Sequence, residues 1–320
     1  MKKIFFVIIG IITVIATVLA FSFQPQPGDD SSSFQPQPGD DSSSFQPQPG
    51  DETTKLNSAL QSAQIEFDKL QNSDSIVFSP DTSGLFHVYA FKNHFYENSE
   101  GVLETAIQNF ILKPELQDTY LEIGLFDDPQ NTVVIIPIFT ANAYKPSGFY
   151  EYYDGRCNSD CLTVSIENVS SGFSSSDNGR KILGLLQYEM LTDIQVDDDP
   201  EILKNYDKVI LLHNEYVTKK MFDAITDHPN VIYLYPNALY AEINRNVDDN
   251  TMTLIRGHNY PEKEILNGFD WEFENTHPYE YDTECTNWEF YEISNGWMLN
   301  CYPENVLERE PLLLKQLKDF

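Results

Sequence analysis

Basic residues are scarce in this chain: 20 Lys and Arg stand against 50 Asp and Glu, a net charge of −30 over 320 residues. A surface that acidic repels the phosphates of nucleic acid and of anionic lipid, which argues against nucleic acid as a partner. Cysteine is rare too, at four. The patterns G-x-S-x-G and H-E-x-x-H are both absent, which removes the serine elbow and the zinc-binding helix as sources of chemistry. Cys157 and Cys161 have no second pair at the same spacing, which argues against a structural zinc.

The N-terminus is rich in what the rest lacks. Lys2 and Lys3 precede an apolar run from Ile4 to Phe23 with Ala20 near its end. Two readings stand open: a secretory signal peptide, or an uncleaved membrane anchor through residues 4–23. Both put the remainder outside the cell or on its surface. The unit FQPQPGDD with a serine spacer then repeats from Phe23, Phe34 and Phe45. Residues 24–54 thus read as a solvated tether, because Pro, Gln, Gly and Ser bury too little surface to offset chain entropy. In an exported chain four cysteines imply two disulfides. Three pairings exist, and the expected one is Cys157–Cys161 with Cys285–Cys301, since Trp288 to Trp297 reads as a hairpin turning at Asn295 and Gly296. Asn168-Val169-Ser170 is a glycosylation sequon.

Beyond the tether, residues 55–131 read as a mixed α+β section. It opens with an amphipathic helix over Thr54 to Gln71 and shows alternation at Leu85 to Phe91. Residues 132–320 read as an α/β domain with a mostly parallel, doubly wound sheet and an irregular β-rich C-terminal extension. The expected strands are Thr132 to Ile138, delivering Thr140, Asn142 and Tyr144 at its end, then Asp193 to Val196, Lys208 to Leu212 and Val231 to Leu234. The expected helices are Asp177 to Met190, Pro200 to Tyr206, and one that Thr218 caps and that buries Met221, Phe222 and Ile225. Ala241 to Asn244 and Met252 to Arg256 form a hairpin around Asp248 to Asn250.

Unalternating apolar strands such as Lys208 to Leu212 are covered on both faces. His213, Asn214, Glu215 and Tyr216 follow the first of the paired strands, and Tyr235, Pro236 and Asn237 follow the second. Open α/β sheets place ligands at such carboxyl ends. The turn Tyr235-Pro236-Asn237-Ala238 carries no cysteine, serine or glycine elbow, which argues against cysteine hydrolase chemistry.

A strand ending in H-x-E-Y, a helix, and a second strand ending in asparagine 24 residues after the histidine, followed by A-L-Y, resembles the C-terminal region of the N,N-dimethylformamidase large subunit. The resemblance covers roughly residues 132–300. It implies a class I glutamine amidotransferase-like fold without the cysteine. It also implies iron held by one glutamate and two tyrosine phenolates, and hydrolysis of a small amide by metal-bound water. Glu215 then matches the glutamate, with His213 and Asn237 as neighbouring catalytic polar groups. The stretch FTANAYKPSGFYEYYDGRC nominates Tyr144 as one phenolate, and the second is unassigned among Tyr150, Tyr152, Tyr153 and Tyr89. The family's further domains and small subunit have no counterpart here. Each residue also has a plainer role open to it: Glu215 as a cap, His213 as an edge residue, Asn237 as a left-handed turn residue, and the tyrosines as packing. His258 and His277 read as loop residues able to close over the site. The alternative function is a non-catalytic surface domain that binds a polar ligand or a protein partner in the same cleft.

Overall fold

The computed structural model describes residues 50–320, apart from 98–100, 102, 106, 128–129, 168–175, 274 and 276–281. The targeting segment, nearly all of the tether, the sequon at Asn168 and His277 lie outside the described residues.

Helix α1 (Gly50–Gln71) starts inside the span read as tether and buries Leu56, Leu60 and Ala63. It packs near an antiparallel sheet of β1 (Ile76–Phe78), β2 (Phe86–Phe91) and β5 (Asn109–Leu112), from which a ribbon of β3 (Phe95–Glu97) and β4 (Leu103–Thr105) branches. Helix α2 (Gln117–Ile123) ends at Gly124 in the left-handed conformation, φ 73°. The central sheet then begins with β6 (Thr132–Ile136), and the chain runs on through short helices α3 (Ile138–Ala143) and α4 (Phe149–Tyr153) to β7 (Thr163–Ser165), a strand of a second sheet. After them come α5 (Asp177–Leu185), β8 (Glu189–Thr192), α6 (Asp193–Asp198), a 3₁₀ turn at Pro200–Asn205 and β9 (Lys208–Leu211). The chain continues with β10 (Tyr216–Thr218), α7 (Lys219–Asp227), β11 (Val231–Tyr233), the hairpins β12 (Ala241–Asn246) with β13 (Thr251–Arg256) and β14 (Phe290–Ile293) with β15 (Gly296–Leu299), and α8 (Pro311–Asp319).

The central sheet runs β14-β15-β11-β9-β6-β8, with every neighbouring pair parallel except the β14–β15 edge. Alternate residues feed two cores. Val134, Ile210, Leu212, Ile232 and Leu234 point to α1, α5 and α8. Val133, Ile135, Val209, Leu211, Val231 and Tyr233 point to α3, α6 and α7 and to a second sheet, β10-β12-β13-β7. Each fully buried aliphatic side chain contributes about 1.5–3 kcal/mol, and coverage on both faces is why these strands lack alternation. Residues 55–131 share the first core with the central sheet. The coarse expectation, an α/β chain with a mostly parallel sheet wound on both sides, is what the chain adopts.

Several elements differ from their expected form. The strand near 190 is Glu189–Thr192, and Asp193 to Val196 is helical. A capping box decides this: the Thr192 hydroxyl accepts from Gln195 N at 3.2 Å, and Gln195 Oε1 accepts from Thr192 N at 2.9 Å. Ile138 to Tyr144 is likewise helix and turn, not strand end. Pro137 cannot donate to a ladder, and the Asp193 carboxylate accepts from Phe139 N at 2.8 Å at the start of α3. The Phe290–Leu299 hairpin turns at Ser294 and Asn295, one residue early, because Ile293 pairs with Gly296. It is no appendage, since β15 pairs in parallel with β11.

Both disulfides take the nearest-neighbour pairing, Cys157–Cys161 and Cys285–Cys301. Two buried lysines tie α8 down. Lys208 Nζ in β9 donates to Leu317 O at 2.8 Å, and Lys318 Nζ donates to Asp127 O at 2.6 Å and Leu186 O at 2.9 Å.

Candidate functional site

Strand β9 stops at Leu211, and the chain crosses from the central sheet to the second sheet through Leu212–Glu215. The crossing is held by groups outside it. Thr140 Oγ1 accepts from Glu215 N at 3.0 Å and Tyr216 N at 3.2 Å, and Glu215 O accepts from Tyr240 N and Ala241 N, each at 2.9 Å. Asn214 O accepts from Leu239 N at 2.9 Å. These contacts aim His213 and Glu215 into one buried cluster, where they are 2% and 1% exposed.

Glu215 Oε2 accepts a short hydrogen bond from the Tyr144 hydroxyl and lies 3.5 Å from His213 Nε2. Tyr144 Oη is 3.4 Å from that same nitrogen. On the other side, Glu215 Oε1 lies 3.4 Å from His258 Nδ1, which is 3.1 Å from Tyr216 Oη. Tyr216 Oη is in turn 3.3 Å from Tyr153 Oη. The ionic partners of Glu215 among the described residues are these two imidazoles, and neither Lys nor Arg pairs with it.

Burial pushes the Glu215 carboxyl up, but the His258 bond, the neighbouring imidazoles and the Tyr144 hydroxyl outweigh it and hold the carboxyl below its ordinary value. Burial drives His213 down against Glu215 and Asn237, so it stays neutral and charges only at acid pH. The Tyr144 and Tyr216 phenols are raised well above their ordinary value, by burial first and by Glu215 next. Both are therefore protonated: Tyr144 donates to the carboxylate, while the Tyr216 hydroxyl is engaged with His258 and Tyr153.

Three of the nominated residues, His213, Glu215 and Tyr144, thus meet. Asn237 lies against His213 and raises its proton affinity, yet neither Asn237 Oδ1 nor His213 Nδ1 completes a hydrogen bond of good geometry. The left-handed residue of its turn is Leu239, φ 59°, not Asn237. Of the candidate second tyrosines, Tyr150 is the one beside Tyr144, with ring centroids 4.5 Å apart and its hydroxyl bonded to that of Tyr144. Tyr153 belongs to the Oε1 side, Tyr152 packs on Tyr260, and Tyr89 packs on Phe78 and Phe91 in the N-terminal sheet.

Sequence reasoning placed Tyr216 in the polar cluster after β9 but gave it no role at the site, and took His258 as a loop residue able to close over the site. His258 follows Gly257 after a hairpin, and its own φ of 52° and the 64° of Asn259 are both left-handed, conformations that non-glycine residues adopt at a cost and that cluster at functional sites. The pair Gly257-His258 at a hairpin exit was the available signal.

Among the described residues no three His, Cys, Asp or Glu side chains form a ready metal-holding group. An ion here would depend on phenol oxygens. One carboxylate with Tyr144 and Tyr150 is a hard, oxygen-rich donor set, and a buried anion without Lys or Arg is suited to a hard cation.

A second buried carboxylate lies behind His213. Glu304 accepts from the Tyr235 hydroxyl in a short bond and from Gly179 N and Asn178 N, both at 3.2 Å, at the start of α5. Burial raises it, the three donors offset part of that, and Asp177 nearby adds to it, so its carboxyl is pushed up to about 7. The Tyr235 ring stacks over His213 at 5.8 Å, and Tyr302 meets its edge at 5.6 Å. The chain matches no protein-family model and no curated protein sequence.

Proposed function

We propose that the Glu215 centre hydrolyses a small amide or related C–N bond outside the cell, with a hard cation as electrophile, as the resemblance to the N,N-dimethylformamidase large subunit implies. The observation that carries this reading is a desolvated carboxylate favoured in its charged form and surrounded by tyrosine hydroxyls and imidazoles without Lys or Arg. Glu215, Tyr144 and Tyr150 would hold the ion, iron in the resembling family. Such an ion, when bound, supplies Lewis acidity toward an amide carbonyl and lowers the pKa of water. His213, neutral and 3.5 Å from Glu215, is able to take up a proton at Nε2. Tyr235 and Tyr302 fix its ring, and Asn237 flanks it as a polar group for the substrate. The same reading assigns the chain the amidotransferase-like version of the α/β fold.

The test is metal analysis of protein purified without a histidine tag. Stoichiometric iron with a phenolate-to-iron absorption band, lost in Tyr144→Phe, supports the reading. No transition metal, together with ligand binding unchanged in Glu215→Ala, refutes it. One observation favours a second reading, a site that binds a polar ligand without turnover: the Tyr144 hydroxyl already satisfies Glu215 Oε2. Ligand binding sensitive to Glu215→Ala in metal-free protein is the outcome that reading expects.

A further inference from the structure

The two oxygens of Glu215 face different surroundings. Oε2 meets Tyr144 and His213, whereas Oε1 faces the ring of His258, which stands among three tyrosine rings at 3.9 Å (Tyr153), 5.4 Å (Tyr150) and 5.5 Å (Tyr240). The Tyr153 and Tyr216 hydroxyls are engaged with each other, and Tyr216 also with His258. What these tyrosines offer the space held by the imidazole is therefore mainly ring surface. Ring faces are electron-rich and attract cations, most of all alkylated ammonium groups that form no strong hydrogen bonds.

His258 is more exposed than the carboxylate it faces, with 21% of its side chain accessible against 1% for Glu215. It is carried on three successive left-handed residues, Gly257, His258 and Asn259, with φ of 108°, 52° and 64°. Asn259 lines a cleft of about 770 Å³ together with Tyr152, Tyr153, Pro261 and Lys263, a size suited to a small molecule. Tyr153 is thus shared between this cleft and the cluster. Lys263 is the one charged residue in the cleft lining, while the chain as a whole carries a net charge of −30. That balance draws cations and turns anions away.

We propose that the Oε1 side of Glu215, walled by Tyr150, Tyr153 and Tyr240, is a subsite for an alkylated organic ammonium group, which enters from the Tyr152–Tyr153 cleft as the His258 ring moves out. In the reaction proposed above, this names the substrate class as small amides that carry such a charge. The subsite rests on the Glu215 centre being the ligand site, but on neither a bound metal nor turnover.

The test is calorimetric titration of the chelator-treated full-length chain with choline, and with its uncharged isostere 3,3-dimethyl-1-butanol. Choline is expected to bind at least ten-fold more tightly than the isostere, and Tyr153→Leu and Glu215→Gln are each expected to weaken choline at least ten-fold. Tyr153 is only half-buried, so its variant carries the test if the Glu215 variant fails to fold. The proposal is overturned if choline does not bind, if the isostere binds as tightly, or if Tyr153→Leu binds choline unchanged. Choline binding that follows this pattern in a protein with no amide hydrolase activity supports the subsite while refuting the hydrolytic reading.

Discussion

Replacing Glu304 with Gln should make the protein more stable above neutral pH and leave it little changed in acid. The folded chain holds the Glu304 carboxyl at about 7 against an ordinary 4.5, chiefly because burial between Tyr235, the start of α5 and Asp177 disfavours its charge. A carboxyl whose folded value is raised binds its proton more tightly in the folded state. Its favourable contribution is complete below about 4.5 and is lost as pH climbs through about 7. At about 1.4 kcal/mol per decade of proton affinity, the displacement corresponds to about 3 kcal/mol. That is a large fraction of the 5–15 kcal/mol typical of a folded domain. His213 acts in the opposite sense, since its depressed value makes stability rise with pH up to about 6.5 and level off above it. The difference between wild type and Glu304→Gln cancels that contribution. Urea unfolding at a series of pH values from 4 to 8.5 should give a difference that grows in the variant's favour between about 4.5 and 7 and then levels off. A difference constant across this range would refute the assignment.

Thr140→Val keeps the shape of the side chain but removes the oxygen that receives Glu215 N and Tyr216 N. Two buried amides left without a partner should cost about 2–4 kcal/mol, read from the urea midpoint, and a loss below about 1 kcal/mol would show that the crossing is held by other contacts. The two disulfides should differ in weight. Cys285–Cys301 spans 16 residues and Cys157–Cys161 spans four, so the paired alanine variants should lose about 3 and about 2 kcal/mol respectively on loop entropy. The reverse order in unfolding experiments would refute that account.

The strands that build the central sheet were legible because their composition is dictated by burial on both faces. Val209 to Leu211 and Val231 to Tyr233 admit few other readings. The polar ends of those strands were legible for the same reason, since only a chain leaving a buried sheet places His213 and Glu215 directly after Leu212. Thr192 was harder to read. Its capping box uses the same Thr and Gln that suit a helix continuing from Asp177, and only the pairing of Glu189–Thr192 with β6 decides between them. Tyr150, Tyr153 and His258 could not be assigned to the Glu215 cluster from spacing, because what unites them is the return beside β10 of the β12–β13 hairpin, which begins at Ala241, far along the chain from the end of α4 at Tyr153. Glu304 gave no signal either, because its partners Tyr235 and Gly179 are remote in sequence.

The two buried lysines that tie α8 to the rest of the domain bear on how the fold depends on its last helix. Lys208 sits in the middle strand of the parallel sheet, fully buried, and its ammonium rests on the carbonyl of Leu317. Until residues 311–320 are in place the Lys208 ammonium lacks the Leu317 carbonyl that accepts from it, and burying a charge with fewer partners is costly. Trimming residues 311–320 should therefore destabilise the whole domain instead of fraying one end of it.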